Sequence, residues 1–130
     1  MKEGDDEEFL RLVSDKKFNL NQYDTLKIFE LFEGIRRTPL QEACYLENPY
    51  YVEKLLENGA DPNVILPRGR TCLIDIVALN PKYYNEYHYE IVKLLVEYGT
   101  DISIKDQDGF TAYDYAVKYN RTELYDLLKP

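Results

Sequence analysis

One phrase occurs three times along this chain, at an offset too long for a single helix or strand to explain. Thr38-Pro39-Leu40-Gln41-Glu42-Ala43 is followed by Val52-Glu53-Lys54-Leu55-Leu56-Glu57-Asn58-Gly59-Ala60-Asp61-Pro62-Asn63, and both halves return downstream. The second copy reads Gly69-Arg70-Thr71-Cys72-Leu73, then Val92-Lys93-Leu94-Leu95-Val96-Glu97-Tyr98-Gly99-Thr100-Asp101-Ile102-Ser103. The third reads Asp106-Gln107-Asp108-Gly109-Phe110-Thr111-Ala112-Tyr113-Asp114-Tyr115-Ala116 and closes with Leu124-Tyr125-Asp126-Leu127-Leu128. Thr38 and Thr71 lie 33 positions apart and Thr71 and Thr111 lie 40 apart, so the middle unit holds a seven-residue insertion. A period in this range confines the chain to an array of small units, each burying its apolar face against a neighbour.

The residue types say what each unit is. From Thr38, Leu40, Ala43 and Cys44 recur at three- and four-residue spacing, which places them on one face of a short helix. Val52, Leu55 and Leu56 do the same in the next segment, and Gly59 can adopt the left-handed conformation that stops a helix. Pro62-Asn63 and Arg68-Gly69 bracket a tight turn, as Asp108-Gly109 does one unit later. Each unit is therefore a helix pair plus a hairpin-like connector.

These phrases resemble the ankyrin repeat, with its D-x-x-G-x-T-P-L-H-x-A and V-x-x-L-L-x-x-G-A-x-x-N halves. The resemblance covers residues 38–128 well and 9–24 loosely. It implies an all-α solenoid of stacked helix pairs: an amino-terminal partial repeat or cap with an extra helix over 1–37, repeats over 38–70 and 71–110, and a carboxy-terminal capping repeat over 111–130. Gln41, Ile74 and Asp114 stand where the family usually has histidine, and Cys72 and Ala112 replace its proline. Residues 5–15 read as a helix. Ile28, Leu31, Phe32 and Ile35 share a face of another, with Asp24 and Gly34 at its ends. Insertions in such arrays fall in loops, which assigns Leu79 through Tyr89 to a connector. Asp114, Lys118, Arg121 and Asp126 are expected to give the last unit the polar outer face a terminal cap needs.

Composition bounds the function. At 130 residues the chain forms one domain, and no apolar run reaches membrane-spanning length. Residues 1–8 are acidic where a secretory signal would be basic and then apolar, so an intracellular, cytoplasmic location is expected. The net charge of −8 argues against nucleic acid or anionic lipid as partners. Half of it comes from residues 1–8, where five acidic side chains oppose Lys2. Cys44 and Cys72 are expected to be buried free thiols. His88 has no cysteine at metal-ligand spacing, and no catalytic or phosphate-binding motif occurs, so neither cofactor, metal nor enzymatic activity is expected.

What remains is binding. The resemblance implies a concave surface of turn tips and inner helices, carried here by Arg36, Arg37, Tyr45 and Leu46, by Pro67, Arg68, Arg70 and Leu79, and by Gln107, Asp108, Phe110, Lys118 and Tyr119. Arginine and aromatic side chains are enriched among interface hot spots. Arg36, Arg37, Arg68 and Arg70 precede two repeat threonines, where they either form a basic patch able to grip carboxylates or pair with neighbouring acids. Tyr83, Tyr84 and Tyr87 in the insertion are further candidates, whether docking on a partner or packing back on the helices. The expected role is a monomeric protein-binding module. An inhibitor or immunity-type protein blocking a basic enzyme or toxin, and a self-assembling adaptor, are the alternatives.

Overall fold

The computed structural model describes residues 5–15 and 38–130. The expected helix over 24–33 and its capping residues lie outside the described residues. Within them are seven α-helices and no strand beyond the single bridge Leu66–Arg70. The helices are α1 (Asp5–Ser14), α2 (Pro39–Tyr45), α3 (Pro49–Glu57), α4 (Cys72–Val77), α5 (Glu86–Glu97), α6 (Ala112–Lys118) and α7 (Tyr125–Leu128). They group into two compact units, Met1–Asp61 and Pro62–Pro130.

In the first unit α2 pairs with α3, and α1 packs on α3. Leu40, Ala43 and Cys44 are buried on α2, and Val52, Leu55 and Leu56 on α3, the residues whose spacing marks the apolar faces. The anchor of α1 is Phe9, stacked on Tyr51 with ring centroids 4.0 Å apart. In the second unit α4 packs on α5 and α6, and α6 on α7 and the 3-10 turn Thr122–Leu124. Leu73, Ile74, Val77, Ile91, Val92, Leu95, Ala116, Leu124 and Leu128 form its core. Each fully buried Leu, Ile or Val contributes about 1.5–3 kcal/mol, and short helices of this kind hold their shape only through such packing. Cys44 and Cys72 are buried and not joined in a disulfide.

The repeat threonines start the inner helices. Thr38, Thr71 and Thr111 sit in extended conformation, and each hydroxyl accepts the backbone N–H three residues on. At Thr38 and Thr111 the bond is reciprocated by Gln41 and Asp114, so two orphan donors are satisfied at once. Gln41 and Asp114 thus do work at the position where the family carries histidine.

Four of the helix ends follow one rule. After α2, α3, α5 and α6 the chain turns left-handed at Glu47, Gly59, Gly99 and Asn120, and the next residue's N–H reaches back to a carbonyl five positions earlier. Glycine takes this conformation without strain and asparagine at small cost, whereas Glu47, at φ 55°, takes it against its Cβ. Glu47→Gly is therefore expected to stabilise the first unit by about 0.5–1 kcal/mol, read as an upward shift of the urea midpoint. The end of α4 differs, with no positive φ at Ala78 or Leu79, and α7 runs into extended backbone at Lys129.

Candidate functional site

The second unit presents two neighbouring turn tips. The first is a tight hairpin in which the Leu66 N–H donates to Arg70 O at 2.7 Å, and Arg68 and Gly69 are both left-handed at φ 69° and 73°. Two successive positive φ values define the turn that Asn-Gly satisfies most easily. The second tip is closed by the Asp106 N–H on Phe110 O and the Gly109 N–H on Asp106 O, each at 2.9 Å. A backbone bond joins them, the Gln107 N–H donating to Arg68 O at 2.9 Å. A Cβ on Gly69 would stand 3.0 Å from that same nitrogen, so the approach of the tips requires glycine.

Beneath the tips lies a buried polar cluster. The Asp106 carboxylate accepts the N–H groups of Asp108 and Phe110 at 2.9 and 3.0 Å and also the Tyr115 hydroxyl. Arg70 lies against it, with Nε 3.6 Å from Asp106, Nη1 3.5 Å from Asp75, Nη2 donating to Tyr115 at 3.3 Å, and its guanidinium 5.4 Å from the Tyr115 ring centre. Burial alone would raise the Asp106 carboxyl. The bonds from Tyr115, Phe110 and Asp108, together with the Arg70 charge, hold it below the usual aspartate range instead. For Tyr115, burial and then the Asp106 bond push the hydroxyl up.

At the carboxyl ends of α4 and α6 stands a second cluster. Arg121 is 4% exposed and donates to Val77 O at 2.8 Å and Leu79 O at 2.7 Å, the last carbonyl of α4 and one in the segment that follows it. Its guanidinium lies 4.2 Å from the Tyr84 ring centre and 4.9 Å from that of Tyr119. The expectation that Arg121 belongs to a polar outer face is thus corrected: it caps the inner helix of the preceding repeat. The extent of the connector is corrected too. Glu86 through Tyr89 form the first turn of α5, because Asn85 and His88 make a capping box there.

The candidate residues separate accordingly. Pro67, Arg68, Gln107, Asp108 and Phe110 are exposed together at the tips, with the Arg68 side chain 59% exposed and Phe110 46%. Arg68 and Asp108 approach only to 4.0 Å, a loose surface pair. Arg70 is largely buried in its own pairs and offers no free cation, which resolves it toward pairing with neighbouring acids. Leu79, Lys118 and Tyr119 stand at the other end of α4 and α6, roughly 10 Å along the helices at about 1.5 Å per residue. Tyr83 and Tyr87 are 60% and 52% exposed, whereas Tyr84 is half-buried against Arg121 and His88. Burial and the nearby Glu123 carboxylate push the Tyr84 hydroxyl up, and it makes no hydrogen bond among the described residues. Tyr45 and Leu46 are exposed at the end of α2 in the first unit. Arg36 and Arg37 lie outside the described residues.

Helix pairs with paired turn tips, built on threonine caps and left-handed helix ends, define a helical-repeat scaffold, and comparison with known proteins agrees. The family model described as ankyrin repeats, in three copies, matches residues 40–130. A Rickettsia felis protein named as an ankyrin repeat protein is 33% identical over 75 residues, which is 58% of this chain and 32% of that protein. One from Acanthamoeba polyphaga mimivirus is 33% identical over 93 residues, 70% of this chain and 11% of that protein. The crystal structure of EF0377, an ankyrin repeat protein, is 40% identical with a TM-score of 0.61, covering 68% of this chain and 44% of that one. The chain belongs to the ankyrin-repeat family, whose members generally mediate protein–protein interaction. It spans less than half the length of each of these relatives. Among the described residues no helix is long and apolar enough to cross a membrane.

Proposed function

We propose that this chain is a non-enzymatic protein-binding module whose main contact surface is the pair of turn tips carrying Pro67, Arg68, Gln107, Asp108 and Phe110. The observation that carries the reading is Arg68. It occupies a left-handed backbone position at φ 69° that costs a non-glycine residue about 1–2 kcal/mol, and it points its guanidinium into solvent with no close pair to repay that cost. Strain kept for an exposed arginine beside an exposed phenylalanine fits a binding contact better than a structural one. The buried Asp106 cluster fixes the tips before any encounter, so little ordering entropy is lost on association. Tyr83 and Tyr87 supply a second, peripheral contact in the same proposal.

Arg68→Asn separates binding from folding. Asparagine suits the left-handed position, so the urea midpoint is expected to hold or rise while capture of the protein bound by wild type drops at least about tenfold. Phe110→Ala is expected to show a similar loss of capture, and Glu90→Gln on the exposed side of α5 no change. Full capture by both tip variants would rule the tips out as the contact surface.

A further inference from the structure

The joined tips expose two cations and one carboxylate. Arg68 stands on the first tip, Lys105 opens the second, and Asp108 is the exposed acid of the second. Arg70 is already engaged beneath them, lying against Asp106 and Asp75. Among the exposed tip side chains positive charge therefore exceeds negative, on a chain whose net charge is −8. Arg68 meets Asp108 through one nitrogen, Nη2, at 4.0 Å. That is longer than a hydrogen bond, and it leaves the planar fork of the guanidinium without a bidentate partner among the described residues. Phe110 is fixed beside it. Its ring meets the Tyr115 ring edge-on, with centroids 5.6 Å apart and planes at 69°, and the Tyr115 hydroxyl is in turn held by Asp106.

We propose that the tips take a protein segment carrying an aspartate or glutamate next to an apolar side chain, the carboxylate pairing bidentately with Arg68 and the apolar group covering the exposed part of the Phe110 ring. This rests on the tips being the contact surface. A carboxylate matches the guanidinium fork with two parallel N–H···O bonds, which Asp108 does not supply. Lys105 adds a second cation on the same surface, a point charge that steers an acidic segment without fixing its geometry. Asp108 limits how much negative charge the segment can carry, because it repels a phosphate dianion about twice as strongly as a carboxylate. The net charge of the chain opposes a polyanion such as nucleic acid as well. A cationic segment is turned away by Arg68 and Lys105.

Selection of a phage-displayed library of short, random, unphosphorylated peptides on the full chain tests this directly. The peptides retained are expected to carry Asp or Glu beside an aliphatic or aromatic residue, well above the library's own frequency. For a synthetic peptide of that kind, Arg68→Gln and, separately, replacement of the peptide's acid by its amide are each expected to weaken binding about tenfold or more, and the two together no more than either alone. Arg68→Lys keeps the charge but not the fork, and is expected to recover only part of the affinity. Arg68 is exposed, so these variants are expected to keep the wild-type urea midpoint. Retained peptides with no excess of acids, an empty selection, or additive losses in the double replacement overturn the proposal. Peptides that lack acids and ignore Arg68→Gln but lose affinity in Phe110→Ala would refute the carboxylate and leave the tips as the contact surface. Peptides unaffected by Arg68→Gln and Phe110→Ala alike would refute the tips themselves.

Discussion

Replacing Arg121 by methionine is expected to cost about 3 kcal/mol or more, a loss large enough to halve the stability of a small domain. The methylenes of methionine fill much of the space between Tyr84 and Tyr119, so the cost isolates the guanidinium. Two effects add. Val77 O and Leu79 O lose the Arg121 donor at the end of α4, and a buried carbonyl left unpaired costs about 1–3 kcal/mol. Tyr84 and Tyr119 lose the cation between them, worth about 0.5–2 kcal/mol. Urea unfolding of the variant measures the sum, and amide exchange should show the loss concentrated at the end of α4. A midpoint unchanged from wild type would mean that water serves those carbonyls as well as Arg121 does.

The second large effect is expected at Asp106. Asp106→Ala removes the acceptor of two backbone N–H groups and the Tyr115 hydroxyl and leaves Asp75 as the one carboxylate paired with the largely buried Arg70 among the described residues. Breaking a buried charge pair from one side costs about 3–5 kcal/mol, and the tip around Gly109 is expected to lose its order first. The carboxyl is held below its ordinary range in the folded state, so its contribution is present above about pH 4, the unfolded aspartate value, and is lost as the pH falls from there toward the folded value. Acid unfolding of wild type should therefore steepen below about pH 4, and that component should be missing in Asp106→Asn.

Much of the fold was legible because its determinants are local. Thr38, Thr71 and Thr111 announce helix starts within three residues, and Gly59 and Gly99 announce helix ends within five. The apolar faces of α2 and α3 follow from spacing alone. What sequence missed acts at long range. Arg121 stands 44 positions from Val77, and a charged residue in the last unit reads as solvated surface until the carbonyls it meets at the end of α4 are seen. Arg70 and Tyr115 are 45 positions apart, so nothing in the Arg68-Gly69-Arg70 stretch says that one arginine is buried and the other free. The start of α5 had a readable signal in Asn85-x-x-His88, but the usual returning partner is glutamate or glutamine, and histidine there passes unnoticed. The candidate site was legible as a set of turn-tip positions. Which of them project into solvent was not, because that depends on the Asp106 cluster.

Amide exchange of the chain with and without its captured partner tests most directly whether the tips are the contact surface. Binding is predicted to slow exchange at Arg68, Gly69 and Gln107 through Phe110 while leaving the exposed side of α5 unaffected. Protection confined to α5, with the tips exchanging as in the free chain, would contradict it.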